Sequence, residues 1–249
     1  MVPPMRRSLH ILLALLMFAF VLAVAAGCGD DDEPSDEPDT AQETGDGGSE
    51  EPEPSEPDPF AAAGIDPTSG AFQGLKPDTR EGTPPPPAPD SLEQAAEEAG
   101  CTLRLDLRDE TAGLSIEEIH LRPGEDGNPN YATNPPTSGI HDQVPLADGA
   151  YRETPPNINV VHSLEHGRVA IQYAPSVPDN QQLALKGVFN ADPDGMQMFP
   201  NGAMPYDVAV TAWTNLMGCN EPSDAEALAA AVLAFRDEFR GKGPEPVPL

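Results

Sequence analysis

Five histidines occur in this 249-residue chain, and four of them, His120, His141, His162 and His166, lie within one 47-residue stretch. Imidazole is the side chain that late first-row transition metals most often meet in proteins. The clustering marks these four as candidate ligands of zinc or copper, with Glu165 as a further ligand or as the group that orients one. Two short segments have the character of rigid turns. Pro135-Pro136 restricts the backbone ahead of Thr137-Ser138-Gly139, where glycine permits a sharp turn before His141, and Gly167 follows directly on His166. Such turns suit a preorganised polar site better than they suit core packing. The competing reading is a set of histidines that only hold loops together through hydrogen bonds.

His162-Ser163-Leu164-Glu165-His166 also spells H-x-x-E-H, the zinc-binding order of inverzincin metallopeptidases, in which both histidines and the glutamate share one face of a long helix. Here β-rich residues 157–161 and 169–173 predict strands on either side, leaving room for one helical turn or a tight loop. No histidine follows position 166 to complete a peptidase site. Peptidase chemistry is therefore not expected, while two ligands on a rigid turn stay compatible with a non-peptidase metal site. A hydrolase using Glu165 or His166 as general base is the remaining enzymatic alternative. Met196, Met198, Met204 and Met217 could add soft ligands for copper, but core packing accounts for them more simply. Ser138 and Ser163 lack a G-x-S-x-G elbow, residues 192–195 read as a turn and not a calcium loop, and no phosphate-binding glycine motif occurs.

The elements that must position these residues are legible in part. Ser91 predicts the N-cap of a short helix over residues 92–99 that Gly100 stops. Residues 102–107, 169–173 and 208–213 carry strand patterns, and residues 180–190 a helical one. The strongest helix spans residues 223–240, with Ser223 as its cap and Leu228, Val232, Phe235 and Phe239 recurring at helical spacing. The mixture predicts an α+β fold: a single small domain over residues 90–249, with a mainly antiparallel sheet and a C-terminal helix. Three cysteines are present, Cys28, Cys101 and Cys219. The last two have no zinc-ribbon spacing; they form a disulfide in an oxidising compartment, or remain as two buried thiols.

The N-terminus reads as an address. Arg6 and Arg7 precede an apolar run over residues 9–24, and Ala25-Ala26-Gly27-Cys28 places small residues directly before a cysteine. This layout is that of a secretory signal over residues 1–27 and resembles the bacterial lipoprotein signal, in which the cysteine, here Cys28, is lipidated. An uncleaved single-span anchor is the alternative. Either way the rest is expected to face the extracytoplasmic side of a bacterial cell membrane. Residues 28–89 read as a disordered acidic and proline-rich linker, because residues 29–59 hold fourteen acids, six prolines and no Lys or Arg, and Pro84-Pro85-Pro86-Pro87 ends the stretch stiffly. The formal net charge is −29, of which residues 29–59 carry −14. Nucleic acid is thereby an unfavourable partner, cations are a favourable one, and no particular protein partner is implied.

The stretch Tyr131-Ala132-Thr133-Asn134-Pro135-Pro136-Thr137-Ser138-Gly139-Ile140-His141 resembles the signature of an uncharacterised bacterial family of lipoproteins and membrane-tethered proteins, domain of unknown function 3105. Its second block, His-Ser-Leu-Glu-His-Gly followed by a strand, is matched by residues 162–173. His120 falls where that family often has another histidine. Thr211-Ala212-Trp213 and Gly243-Pro244-Glu245 resemble two further stretches, with Thr214 standing where a glycine is usual. The resemblance covers roughly residues 95–245. It implies an exported or membrane-tethered single domain and no established activity. The sequence thus leads to an envelope lipoprotein that binds or delivers a metal ion, with a non-catalytic interaction or scaffold module as the runner-up.

Overall fold

The computed structural model of the chain describes residues 74–122, 125 and 129–249. The signal segment, Cys28 and the acidic stretch up to residue 59 lie outside the described residues. Local signals set the first elements. Ser91 Oγ accepts from the Gln94 amide at 3.2 Å and caps α1 (Leu92–Glu98), and Gly100, at φ +73°, lets the chain turn out of it. β1 (Cys101–Arg104) follows and alternates between more and less exposed residues. It stops short of the expected residue 107; Asp106 takes a left-handed conformation at φ +51°, which cannot continue a pleat.

Five further strands complete one sheet: β2 (Gly149–Ala150), β3 (Val169–Tyr173), β4 (Met196–Pro200), β5 (Val208–Ala212) and β6 (Asn215–Cys219). Their spatial order is β1-β6-β5-β3-β4-β2. The β1–β6, β6–β5 and β5–β3 pairings are antiparallel, while β3–β4 and β4–β2 are parallel, so the sheet is mainly antiparallel and the fold is α+β. Cys101 and Cys219 stand directly opposite each other in the β1–β6 register and form a disulfide.

Every residue of β3, β5 and β6 is buried, as strands covered on both faces must be. One face carries Val169, Ile171, Met196, Met198 and Met217, packed against α1, α4 (Asp179–Ala191) and α5 (Ala225–Phe239). The expected C-terminal helix is thus present, but its cap is Asp224, which accepts from the Glu226 and Ala227 amides; Ser223 Oγ donates instead to the Glu98 carbonyl. The other face buries Ala170 and Phe199 with Leu146, Tyr151 and Trp213 beneath α3 (Asn157–Glu165).

α3 corrects the sequence reading, which made residues 157–161 a strand and left one turn for the H-x-x-E-H segment. Val160, Val161 and Leu164 recur at i, i+1 and i+4 and are at most 1% exposed against the second core. Burying that stripe outweighs the weak strand preference of β-branched residues. Residues 76–83, read from sequence as linker, run along the domain. Asp78 N donates to Ala150 O, Thr83 N donates to Leu183 O, and the two segments pack so closely that a Cβ on Gly82 would strike the Gly187 backbone and one on Gly187 the Thr83 backbone. Among the described residues no helix is long and apolar enough to cross a membrane.

Candidate metal centre

His120 and His141 come from two loops that zip together. The short helix α2 (Ile116–Ile119) begins where Glu118 accepts from both Ser115 N and Ser115 Oγ, and His120 leaves it in an extended conformation. Leu121 N then donates to His141 O at 2.7 Å, and His141 N donates to Ile119 O at 2.9 Å, fixing the two histidines side by side. Gly139, two residues earlier at φ +128°, packs its Cα against the Tyr131 ring, where a Cβ would come within 2.8 Å. Only glycine takes that turn without strain, so the expected sharp bend before His141 is present.

α3 supplies the other side. His162, Glu165 and His166 are spaced i, i+3 and i+4 and share one helix face. Gly167 at φ +83° ends the helix, with Gly167 N bonded to Leu164 O and Arg168 N to Ser163 O, the pattern that αL glycines allow at helix C-termini.

In each of the four imidazoles, Nδ1 lies against a backbone carbonyl. His120 Nδ1 meets Ile116 O at 2.9 Å, His141 Nδ1 meets Gly139 O at 2.8 Å, His162 Nδ1 meets Asp142 O at 2.6 Å and His166 Nδ1 meets Glu245 O at 2.8 Å. A carbonyl only accepts, so each ring carries a proton on Nδ1, and in a neutral ring Nε2 keeps its lone pair; the 2.8 Å contact between the Nε2 atoms of His162 and His166 needs a proton on one of them or a cation beside them. Carbonyls that orient histidine ligands in this way are a recurrent feature of metal sites.

Four side chains converge: His120, His141, His162 and Glu165 each offer a ligand atom, all within 4.8 Å of one another. The His141 ring is wholly buried, and His162 and Glu165 are only 4% and 2% exposed. His141 Nε2 and Glu165 Oε2 approach to 3.0 Å, yet neither makes an aligned hydrogen bond with any described group. A buried carboxyl oxygen and a buried ring nitrogen at this distance are costly unless a proton or a metal ion lies between them. Burial is also the main reason the His162 imidazolium is disfavoured: its pKa is pushed down to about 3, the other histidines adding to the shift and the Asp142 carbonyl opposing it. Three imidazoles and one carboxyl group fit the donor preferences of zinc and its neighbours.

The structure brings together four of the five residues singled out from sequence. His166 stands beside them, its Nε2 2.8 Å from His162 Nε2, but outside the group of four. Met196, Met198 and Met217 are buried in the apolar core under the opposite face of the sheet, where they pack rather than ligate. Glu165 points at His141 and does not border the cleft beside His120 and His162, an arrangement that suits a ligand better than a general base. The site is reached through a cleft of about 420 Å³ bordered by Ile116, Glu117, His120, Gln143 and His162. Sequence reasoning missed the four orienting carbonyls, which no side chain announces, and the ring of Trp213, 6.4 Å from that of His141.

Fold and site together define a class: an α+β domain, its sheet covered on both faces, with a buried cluster of three histidines and one glutamate at the edge of the second core. Residues 124–247 match the family model described as Protein of unknown function (DUF3105), and the chain belongs to that family through this domain. His141, His162, Glu165 and His166 lie inside the matched segment; His120 lies just ahead of it. No curated protein and no solved structure matches the chain.

Proposed function

We propose that this is a metal-binding protein of the bacterial cell envelope, in which His120, His141, His162 and Glu165 hold a divalent transition-metal ion. The observation that carries the reading is the buried pair His141 Nε2 and Glu165 Oε2, close together and without hydrogen-bond partners, with ligand atoms of His120 and His162 within 4.8 Å. Zinc fits first, since the donors are nitrogen and oxygen with no thiolate or thioether among them; copper(II) is the alternative occupant. Opening of the site to a cleft beside His120 and His162 supports a role in binding and handing on the ion. Lipidation at Cys28 and the acidic tether would keep the domain at the outer side of the membrane, as the sequence of the N-terminus implies.

Elemental analysis of the purified full chain, after exposure to zinc and copper and removal of loose ions, tests the metal. One ion per chain, lost in His141→Ala and Glu165→Gln, is the expected outcome. An ion-free wild-type chain at neutral pH, with the same substitutions merely lowering stability, would leave the histidines as loop fasteners and defeat the proposal. Labelling with a radioactive fatty acid tests the anchor: Cys28→Ala abolishes incorporation if Cys28 is lipidated.

A further inference from the structure

The last residues of the domain return to the C-terminal end of α3, beside the ligands. Glu245 N donates to Glu165 O at 3.2 Å, and Gly241 N donates to Gly167 O at 2.8 Å. The first bond satisfies a carbonyl that the end of α3 leaves without a partner inside the helix, and the second ties down the glycine that follows its cap. Gly243 is packed so tightly on the Glu165 carbonyl that a Cβ would overlap it. Glu245 O accepts from His166 Nδ1, and Arg168 reaches the Val247 and Pro248 carbonyls at 3.4 and 3.2 Å. The same short segment therefore grips the backbone of a ligand, Glu165, and sets the ring of His166, whose Nε2 faces His162 Nε2 at 2.8 Å.

We propose that residues 241–245 are the latch of the metal site: they hold Glu165 and His166 in place and set how long the ion stays bound. The proposal rests on the metal-binding reading above. No residue of the latch, and not His166, belongs to the group of four, so the latch governs release without supplying the primary donors. Partners in this position typically alter metal affinity by roughly 10–100-fold when removed. The effect is expected chiefly in the rate of loss, because the approach cleft on the His120 side is bordered by the latch only at Glu245.

The test is zinc release from the full chain into an excess of a chromogenic chelator, for wild type, Gly243→Ala, His166→Ala and the double variant. Both single variants are expected to release the ion on the order of 10-fold faster or more. The double variant is expected to fall well short of the product of the two, because both substitutions undo one fastening. Hydrogen exchange of the Glu245 amide supplies a second reading, faster in either single variant and slowed by zinc in wild type. Release rates within about twofold of wild type, or fully multiplicative effects, would overturn the latch while leaving the metal site standing. A wild-type chain that takes up no metal would remove both.

Discussion

Acidifying the metal-free protein from about pH 7.5 to about pH 5 is expected to remove about 2 kcal/mol of stability through His162 alone. The folded chain keeps this imidazole 4% exposed, bonded through Nδ1 to Asp142 O and surrounded by three other rings, and its pKa falls from 6.5 to about 3. The unfolded chain has no such constraint and protonates near 6.5. With a depressed folded value, the unfolded state binds more protons at every pH between the two, so stability is complete above about pH 6.5 and declines toward pH 3. By about pH 5 the unfolded imidazole is protonated by a factor of roughly 30 over neutral and the folded one hardly at all, which is the source of the 2 kcal/mol. The assay is urea unfolding in the presence of a chelator at several pH values, for wild type and His162→Gln. The variant lacks the titrating ring, so its stability is expected to depend on pH less steeply by that amount. Parallel profiles for the two proteins would refute the reasoning, since they would mean that His162 titrates alike folded and unfolded. On the metal-binding proposal, added zinc is expected to restore stability by mass action, about 2.7 kcal/mol at a hundredfold excess over Kd, a gain that shrinks as protons compete for the rings.

The disulfide closes a loop of 118 residues' separation. Cys101→Ser with Cys219→Ser is therefore expected to cost about 4–5 kcal/mol in the chain-entropy account, read as the shift in unfolding free energy against the oxidised chain; a shift under about 1 kcal/mol would contradict it. Thr214, in the tight connection between β5 and β6, is held at φ +59° although it is β-branched. Thr214→Gly, the residue usual at this place in the resembling family, is expected to raise stability by about 1 kcal/mol, and a lower melting temperature would count against left-handed strain there.

Much of the scaffold was legible because its signals are local. Ser91 and Gly100 bound α1 as a capping side chain and a left-handed glycine dictate. The strands over residues 169–173 and 208–212 and the helices over 179–191 and 225–239 follow their hydrophobic periods. α3 was misread because Ile158, Val160 and Val161 prefer strands locally, and only the core beneath them shows that their spacing suits a helix. The edge strand β2 and the pairing of β6 with β1 have no local signature, since their partners lie far away in sequence.

The sequence by itself determined which residues could do chemistry: four histidines and a glutamate, two of them beside glycines that make sharp turns, in a chain with few other candidates. It also named Cys101 and Cys219 as the candidate pair with Cys28 set aside, leaving two buried thiols as the alternative, and the structure joins them. What the tertiary structure decided was convergence and orientation. His120 meets His141 through backbone bonds between loops twenty residues apart, and α3 turns His162 and Glu165 toward them. It also decided that His166 stands outside the group of four, fastened to the C-terminal segment. Residue types record which atoms can donate a lone pair. Where that lone pair points depends on the carbonyls opposite Nδ1, and these are supplied by the folded backbone, whose chemistry is the same at every position.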